Sequence, residues 1–193
     1  MAERPVFSFD YDSSLAGFAV SKRAYLDAHP DASFDYIATS ALVLDSTNPS
    51  NPRILLVQRA ASDSYPNKWE PPGGGCDDTD ETILYAAARE LWEEAGLEAA
   101  RIVGLVGEPH FFTLRNGNRV CQFNFAVHAK ADPGTPLVVR LDPKEHQRFV
   151  WATEGEVKAK KADGIELDFT TEGVERTVLL VFEYFRNNQA DRF

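Results

Sequence analysis

Three glutamates, Glu90, Glu93 and Glu94, lie close together in a stretch whose apolar positions recur at helical spacing. On a helix, residues at i, i+3 and i+4 share one face, so all three carboxylates project from the same side. Like charges at these spacings cost an isolated helix about 0.2–0.5 kcal/mol per pair, and Arg89, four residues before Glu93, relieves only part of that cost. A divalent cation would relieve the rest, because hard ions such as Mg²⁺ bind carboxylate oxygens. For the glutamates alone, a solvated acidic helix face is an equally good explanation.

A glycine-rich loop leads directly into this predicted helix. Gly73–Gly75 allow the backbone to adopt positive φ angles and to come close to a ligand. Asp78, with Glu81 three residues later, predicts the N-cap, and Gly96 stands where a helix commonly ends. The predicted buried stripe of the helix consists of Leu84, Ala88, Leu91 and Ala95. The carboxylate-bearing face borders this stripe rather than opposing it.

The loop and helix together resemble the Nudix box, the signature of the Nudix hydrolases. The match runs from Gly75 to Leu97 and includes every fixed position of the signature: Gly75, Glu81, Arg89, Glu90, Leu91, Glu93, Glu94, Gly96 and Leu97. Each fixed polar or glycine residue type occupies roughly one in ten to one in twenty sites of an average protein. An accidental match of the whole pattern is therefore very improbable.

This resemblance implies a fold and a reaction. The expected fold is α/β (α+β), an α/β/α sandwich with a mixed sheet. The expected reaction is Mg²⁺- or Mn²⁺-dependent hydrolysis of a nucleoside diphosphate linked to another moiety. In such enzymes the backbone carbonyl at Gly74 adds a ligand to those of the box glutamates, Arg89 holds Glu93 in place, and Glu94 or a later glutamate accepts the proton of water. The implied metal ligands are Gly74, Glu90, Glu93, Glu94 and Glu145, and the implied catalytic residues are Arg89, Glu90, Glu93, Glu94 and Glu145.

Glu145 is included among the implied metal ligands and catalytic residues because of its position in the chain. It lies in a loop shortly before a Trp-bearing strand, where many Nudix enzymes carry a glutamate that reaches the metals or the attacking water. A surface loop acid is the alternative interpretation.

Phe111 and Phe112 form either a platform for a base, since stacking contributes roughly 1–3 kcal/mol per base, or part of the core. The substrate-binding candidates are Arg59, Gly74, Gly75, Phe111, Phe112 and His146, the last as a contact to phosphate.

The substrate is less well specified than the reaction. Many ADP-ribose enzymes of the family carry a proline sixteen residues past the box, where this chain has Thr113. A nucleoside triphosphate or related nucleotide is therefore preferred, with ADP-ribose, nucleotide sugars and dinucleoside polyphosphates as alternatives. Two further classes are a non-catalytic ligand sensor and an isoprenoid diphosphate isomerase-like enzyme. Both typically have broken or degenerate boxes, whereas this box is intact.

Composition limits the partners and the location. The formal net charge of −10 argues against non-specific binding to nucleic acids, because phosphate backbones require Lys and Arg, and it disfavours decapping-type RNA substrates without excluding them. Cys76 and Cys121 show no motif spacing, so reduced thiols are expected. Neither a signal peptide nor a membrane span is apparent, and a cytoplasmic location is predicted.

The 193 residues predict an N-terminal extension, residues 1–34, and a Nudix hydrolase domain, residues 35–193. The extension is expected to contain a short strand at Val6–Phe9 and a helix at Ser14–Ala28, and it could cover the sheet, shape the substrate entrance or form a homodimer. Strands are predicted at Tyr36–Leu44, Arg53–Arg59, Arg101–Leu114, Arg119–Ala129 and Leu137–Leu141. Asn116-Gly117 predicts a tight hairpin. Helices are predicted over Glu154–Lys161 and from Thr171 or Glu172 onward.

Overall fold

The structure is a computed structural model, and it describes residues 6–45, 47–131 and 135–189. The strands are β1 (Asp10–Tyr11), β2 (Tyr36–Asp45), β3 (Arg53–Arg59), β4 (Trp69–Glu70), β5 (Gly73–Gly75), β6 (Ala99–Leu105), β7 (His110–Thr113), β8 (Arg119–Ala129), β9 (His146–Thr153), β10 (Lys161–Ala162) and β11 (Ile165–Glu166). The helices are a 3₁₀ helix (Ser13–Phe18), α1 (Lys22–Ala28), α2 (Ile83–Ala95), α3 (Glu154–Lys158) and α4 (Glu172–Gln189).

Strand β2 is the centre of a mixed sheet that contains nine strands among the described residues. It pairs in parallel with β8 and antiparallel with β5 and β3. On the far side of β3 lies β9, also antiparallel. Nine of the ten β2 residues are buried, as expected for a strand with helices on both faces. This order places the glycine strand β5 beside the centre of the sheet and brings the start of β9 to the end of β3.

Helices cover both faces of the sheet. The apolar side of α2 packs into one core with Ile37, Phe125 and Val127 of the sheet. Helices α3 and α4 form a second core on the opposite face, against Leu42, Leu56 and other strand residues. The predicted α/β/α sandwich with a mixed sheet is thus observed. The four residues of the predicted stripe on α2 are all buried: Leu84, Ala88, Leu91 and Ala95. Within the described part of the chain, no helix has the length and apolar character needed to cross a membrane.

The N-terminal segment packs against the edge of the sheet and against α2, and the predicted division into an extension, residues 1–34, and a domain, residues 35–193, stays a prediction. Strand β1 pairs in parallel with β6, and Phe7 packs edge-on against Tyr85 and Trp92 of α2. The prediction of a strand at Val6–Phe9 is wrong, since the short strand lies at Asp10–Tyr11. The single predicted helix over Ser14–Ala28 is also wrong: a 3₁₀ helix and α1 are separated, because Ser21 caps α1 through a bond from the Ala24 N–H. The roles suggested for this segment in dimer formation or at the substrate entrance stay predictions.

Two further strand predictions need correction. The long strand over Arg101–Leu114 is divided into β6 and β7, with Gly107 at φ 66° in the intervening turn. Residues Leu137–Leu141 form no strand, because this segment runs beside α2, where the Arg140 N–H bonds to the Ala95 carbonyl at the end of the helix. Other predictions match: β3 and β8 have the predicted bounds, the Asn116-Gly117 hairpin joins β7 to β8, and α4 begins at Glu172. Helix α3 ends three residues earlier than predicted.

Candidate active site

Helix α2 positions the carboxylates, and it begins later than the sequence pattern suggests. Its N-cap is Thr82, whose hydroxyl accepts a hydrogen bond from the Tyr85 N–H at 2.9 Å. The prediction of Asp78 as the cap is therefore wrong, since the preceding residues form a separate turn. Thr82 directly before the first apolar residue was the sequence signal for the true start. The C-terminal end agrees with prediction: Gly96 has φ 67°, and its N–H bonds to the Trp92 carbonyl.

Arg89 connects the helix to the loop before it. Its guanidinium is buried and donates to Glu90 at 2.7 Å and to Glu93 at 2.8 Å. It also donates to the Gly75 carbonyl at 2.8 Å, which ties strand β5 to the helix. Burial by itself would lower the pKa of Arg89, but its bonds to carboxylates raise that pKa further above its usual value. Arg89 is therefore a fixed positive charge that orients two of the three glutamates.

Asp80 completes the bracing of Arg89 and was missed from the sequence. Both of its carboxylate oxygens accept from Arg89, each at 2.9 Å, in the bidentate geometry that makes such pairs strong. One of the same oxygens accepts the Asp77 N–H at 2.7 Å. Asp80 lies nine residues before Arg89, in the turn that precedes α2, so no helical spacing relates the two. Only the folded turn brings them together.

The three glutamates differ in their surroundings. Glu94 is 5% exposed, and one of its oxygens accepts the Gly73 N–H at 2.7 Å. Burial raises the pKa of Glu94 well above its usual value, and the charge of Glu90 adds to this effect. Burial also raises the pKa of Glu90 to about 7, against the opposing effect of Arg89. The Glu93 side chain is 39% exposed. The site thus holds carboxylates that favour protonation unless another positive charge neutralises them.

The glycine strand is needed for close approach, and positive φ angles play no part there. Gly73–Gly75 form β5 and are absent from the residues with positive φ. A Cβ at Gly73 would lie 2.2 Å from the Thr39 carbonyl oxygen of β2, which no side chain can tolerate. A Cβ at Gly74 would lie 2.7 Å from a carboxylate oxygen of Glu90 and would displace it from Arg89. The glycines therefore allow the helix carboxylates to lie directly on the sheet.

The loop before β9 brings Glu145 and His146 to this cluster. The Ala60 N–H bonds to the Glu145 carbonyl at 2.8 Å, and a bulge interrupts the pairing of β3 with β9 next to His146. As a result, one ligand atom each of Glu94, Glu145 and His146 lie within 4.8 Å of one another. Glu145 is exposed, whereas His146 is buried.

His146 does not have the character predicted for a phosphate contact. Burial lowers its pKa to about 4, and the positive charge of Arg59 acts in the same direction. The imidazole is therefore neutral at pH 7 and provides no positive charge for phosphate.

Arg59 lies beside this group with its guanidinium already engaged. It forms ion pairs with Glu70 and with Asp63, the latter at 2.5 Å, and it donates to the Ser64 carbonyl. Its predicted role in binding substrate stays a prediction, and these partners would compete with a substrate phosphate.

The two phenylalanines lie apart from the carboxylates. Phe111 is 53% exposed and Phe112 41%, so neither belongs to the core. The register places His110, Gln122, Ala38 and Gly75 in one row across β7, β8, β2 and β5. Three strand spacings of about 4.8 Å separate β7 from β5 by roughly 14 Å. A role in stacking therefore requires a ligand that extends along the sheet, and it stays a prediction.

The residues present fit a divalent cation. Within the described structure, Asp80, Glu90 and Glu93 share the single charge of Arg89, and Glu94 and Glu145 add two more carboxylates nearby. Oxygen ligands of this kind suit Mg²⁺ and Mn²⁺. Burial raises the pKa values of Glu90 and Glu94, and a bound cation would favour the charged forms of both carboxyl groups.

Comparison with known proteins identifies the family. Residues 36–172 match the family model described as NUDIX domain, which is well over half of the chain. The chain belongs to the Nudix family, and the predicted relationship to the Nudix hydrolases is confirmed. The m7GpppN-mRNA hydrolase NUDT17 of Danio rerio is 33% identical over 130 residues, 62% of this chain and 42% of that protein. NUDT17 of Bos taurus is 42% identical over 59 residues, 30% of this chain and 18% of that protein. The matched segments thus span less than half of these relatives.

Solved structures show the same fold. The NUDIX domain of Shewanella oneidensis NrtR, complexed with ADP ribose, aligns with a TM-score of 0.59 at 15% identity, covering 86% of this chain and 99% of that one. A Caenorhabditis elegans Ap4A hydrolase (binary complex) aligns with a TM-score of 0.58 at 22% identity, covering 79% and 99%. The MutT protein from Methanosarcina mazei Go1 gives 0.55 at 24% identity, covering 78% and 94%. The predicted Nudix fold is confirmed.

Proposed function

We propose that this chain is a divalent-cation-dependent pyrophosphohydrolase that cleaves the P–O–P bond of a nucleotide. The observation that carries this proposal is the position of the carboxylates. Glu90 and Glu93 are oriented by Arg89 on one side, and Glu94 and Glu145 face each other where α2 meets the loop before β9. A site with so many acidic groups cannot hold a diphosphate by itself, because the charges would repel.

A divalent cation would balance these charges, and it would be held by Glu90, Glu93, Glu94 and Glu145. When bound, Mg²⁺ or Mn²⁺ neutralises charge on the diphosphate oxygens and lowers the pKa of a bound water. Arg89 keeps Glu90 and Glu93 oriented, and the Gly73 N–H does the same for Glu94. Arg89 itself is buried and not accessible to a substrate, so its role is to position these carboxylates.

Two carboxylates are candidates for accepting the proton of the attacking water. Glu94 is buried and holds its proton more tightly than usual, whereas Glu145 lies on an exposed loop. Substitutions E94Q and E145Q separate them through the pH dependence of kcat. The variant that lacks the base should lose the acidic limb of the profile, and the other should keep it at a lower rate.

Two substrate classes are supported. A nucleoside triphosphate or related nucleotide is the first, since the ADP-ribose signature is lacking at Thr113. The second is a dinucleotide joined by a polyphosphate bridge, because the relative at 33% identity is named an m7GpppN-mRNA hydrolase. An m7GpppN unit joins two nucleosides through a phosphate bridge, and the net charge of −10 favours the small dinucleotide over long RNA.

A panel of diphosphate compounds tests both classes. Nucleoside triphosphates, Ap4A, an m7GpppN dinucleotide and ADP-ribose are incubated with Mg²⁺ or Mn²⁺ in H₂¹⁸O. Chromatography and mass spectrometry then identify the products and the phosphorus atom that water attacked. We expect ¹⁸O in one phosphate product, and turnover of a triphosphate or a dinucleotide well above that of ADP-ribose.

The variant E93Q tests the role of the site, with E98Q as its control. Loss of one cation-holding carboxylate is expected to lower kcat about 10²–10³-fold, a typical cost for one electrostatic contact in an active site. E98Q, which removes a glutamate paired with Lys130 on the surface, should leave kcat unchanged. Nucleotide binding by the wild type without turnover would show a ligand sensor, and rearrangement without phosphate release would show an isomerase. Either result would overturn the proposal.

A further inference from the structure

His146 is a buried side chain with unsatisfied polar atoms. It is 2% exposed, and neither ring nitrogen has a hydrogen-bond partner among the described residues. Buried polar side chains almost always have a partner, and an exception commonly marks the place of a water or an ion. The half-buried His110, by contrast, has a partner, since its Nε2 lies 2.8 Å from the Thr177 hydroxyl.

The unpartnered imidazole faces two carboxylates. Its Nδ1 lies 4.0 Å from an oxygen of Glu94, the one that does not accept the Gly73 N–H. Ligand atoms of Glu94, Glu145 and His146 all lie within 4.8 Å of one another. Opposite ligands of an octahedral ion with bonds of about 2.1 Å are about 4.2 Å apart. The gap between His146 and Glu94 therefore has the width of one coordinated cation.

The nearby guanidinium does not fill this gap. Arg59 is paired with Glu70 and with Asp63, and its remaining contacts go to Ser64. Main-chain bonds hold the segment that carries Glu145 and His146: the Ala60 N–H donates to the Glu145 carbonyl at 2.8 Å, and the His146 N–H donates to the Asp142 carbonyl at 2.9 Å. Glu94 is held on the opposite side by the Gly73 N–H.

We propose that His146 is a direct metal ligand and forms a mixed nitrogen–oxygen site with Glu94 and Glu145. This inference rests on the proposed function, since it concerns the cation that the hydrolase uses. Imidazole suits borderline first-row metals such as Co²⁺, and the harder Mn²⁺ accepts an imidazole more readily than Mg²⁺, which strongly prefers oxygen. The site therefore selects Mn²⁺ or Co²⁺ over Mg²⁺, and His146 determines that selectivity.

Metal binding without substrate measures the selectivity. Titration calorimetry of the metal-free wild type is expected to show Mn²⁺ bound at least about tenfold more tightly than Mg²⁺. In H146L the affinity for Mn²⁺ should fall about 10–100-fold, the range found when groups around a metal are altered. The affinity for Mg²⁺ should change by less than about threefold, because the carboxylates remain. The control H29L removes an exposed histidine on α1's C-terminal side and should change neither value.

Pulsed electron paramagnetic resonance of the Mn²⁺-loaded protein tests the bond itself. The wild type and H29L should show the ¹⁴N modulation of a coordinated imidazole, and H146L should lack it. The wild-type spectrum does not depend on the folding of any variant. Absence of ¹⁴N modulation in the wild type overturns the inference and means that a water satisfies His146. If the protein still hydrolyses a diphosphate compound in that case, the proposed function holds and only the role of His146 as a metal ligand is wrong. If ¹⁴N coupling is present without hydrolysis of any compound, the metal site stands and the proposed function fails.

Discussion

The two sides of the site are built on different principles. On the α2 side, Arg89 satisfies Asp80, Glu90, Glu93 and the Gly75 carbonyl through five hydrogen bonds, so the protein alone completes the network. On the β9 side, Glu145 and His146 face Glu94 with no bond between them. The contrast suggests that the first side is a rigid support, whereas the second is completed only by a ligand. Substitutions on the two sides should therefore have opposite effects on the ligand-free protein.

Removal of Arg89 should give the largest effect. R89M leaves Asp80 and Glu90 buried without their counter-charge, and breaking a buried pair in this way typically costs about 3–5 kcal/mol. We expect a loss of this size in the free energy of unfolding, measured by urea denaturation in EDTA. R23M, which removes an exposed ion pair with Asp27 on α1, should change stability by less than about 0.5 kcal/mol. Equal losses in the two variants would show that Arg89 is not a structural support.

The pH dependence of stability should reveal the carboxylates that lack a cation. Burial raises the pKa of Glu90 to about 7 in the folded chain, against about 4.3 when unfolded. Between these values the folded chain binds more protons than the unfolded chain, so the free energy of unfolding falls as pH rises. From pH 5 to pH 8 in EDTA, the wild type should lose about 1–3 kcal/mol relative to E90Q.

The comparison with E90Q is needed because His146 acts in the opposite direction. Its pKa of about 4 makes the folded chain bind fewer protons than the unfolded chain, so it adds stability as pH rises from about 4 to about 6.5. Both proteins contain His146, and the difference between them isolates Glu90. Parallel curves for the wild type and E90Q would contradict the assignment.

Replacement of the buried His146 and of the half-buried His110 should give the smallest effects, of opposite sign. H146L removes two unsatisfied ring nitrogens, so metal-free protein should be stabilised by about 1 kcal/mol, part of the cost of an unpaired buried group. H110L instead leaves the buried Thr177 hydroxyl without its partner and should destabilise by about 1–2 kcal/mol. Thermal denaturation in EDTA measures both. Similar destabilisation by H146L would show that a partner, such as water, already satisfies His146.

Local patterns predicted much of the fold. The apolar spacing of α2, the Gly96 C-cap, the Asn116-Gly117 hairpin and the bounds of β3 and β8 all follow from interactions within a few residues, and the structure has them. Errors arose where distant contacts decide. Thr82 caps α2 in place of Asp78 because the intervening turn is folded around Arg89. The segment at Leu137–Leu141 bonds to the end of α2, so its apolar pattern does not produce a strand.

The sequence by itself determined that Glu90, Glu93 and Glu94 share a helix face, since a period of 3.6 residues places them there. It also determined the family, through the intact box. Only the tertiary structure decided which carboxylates are buried, that Asp80 braces Arg89, and that His146 faces Glu94. The physical reason is that burial and charge pairing depend on groups far apart in the chain. The loop before β9 reaches α2 only because β9 pairs with β3 across the sheet.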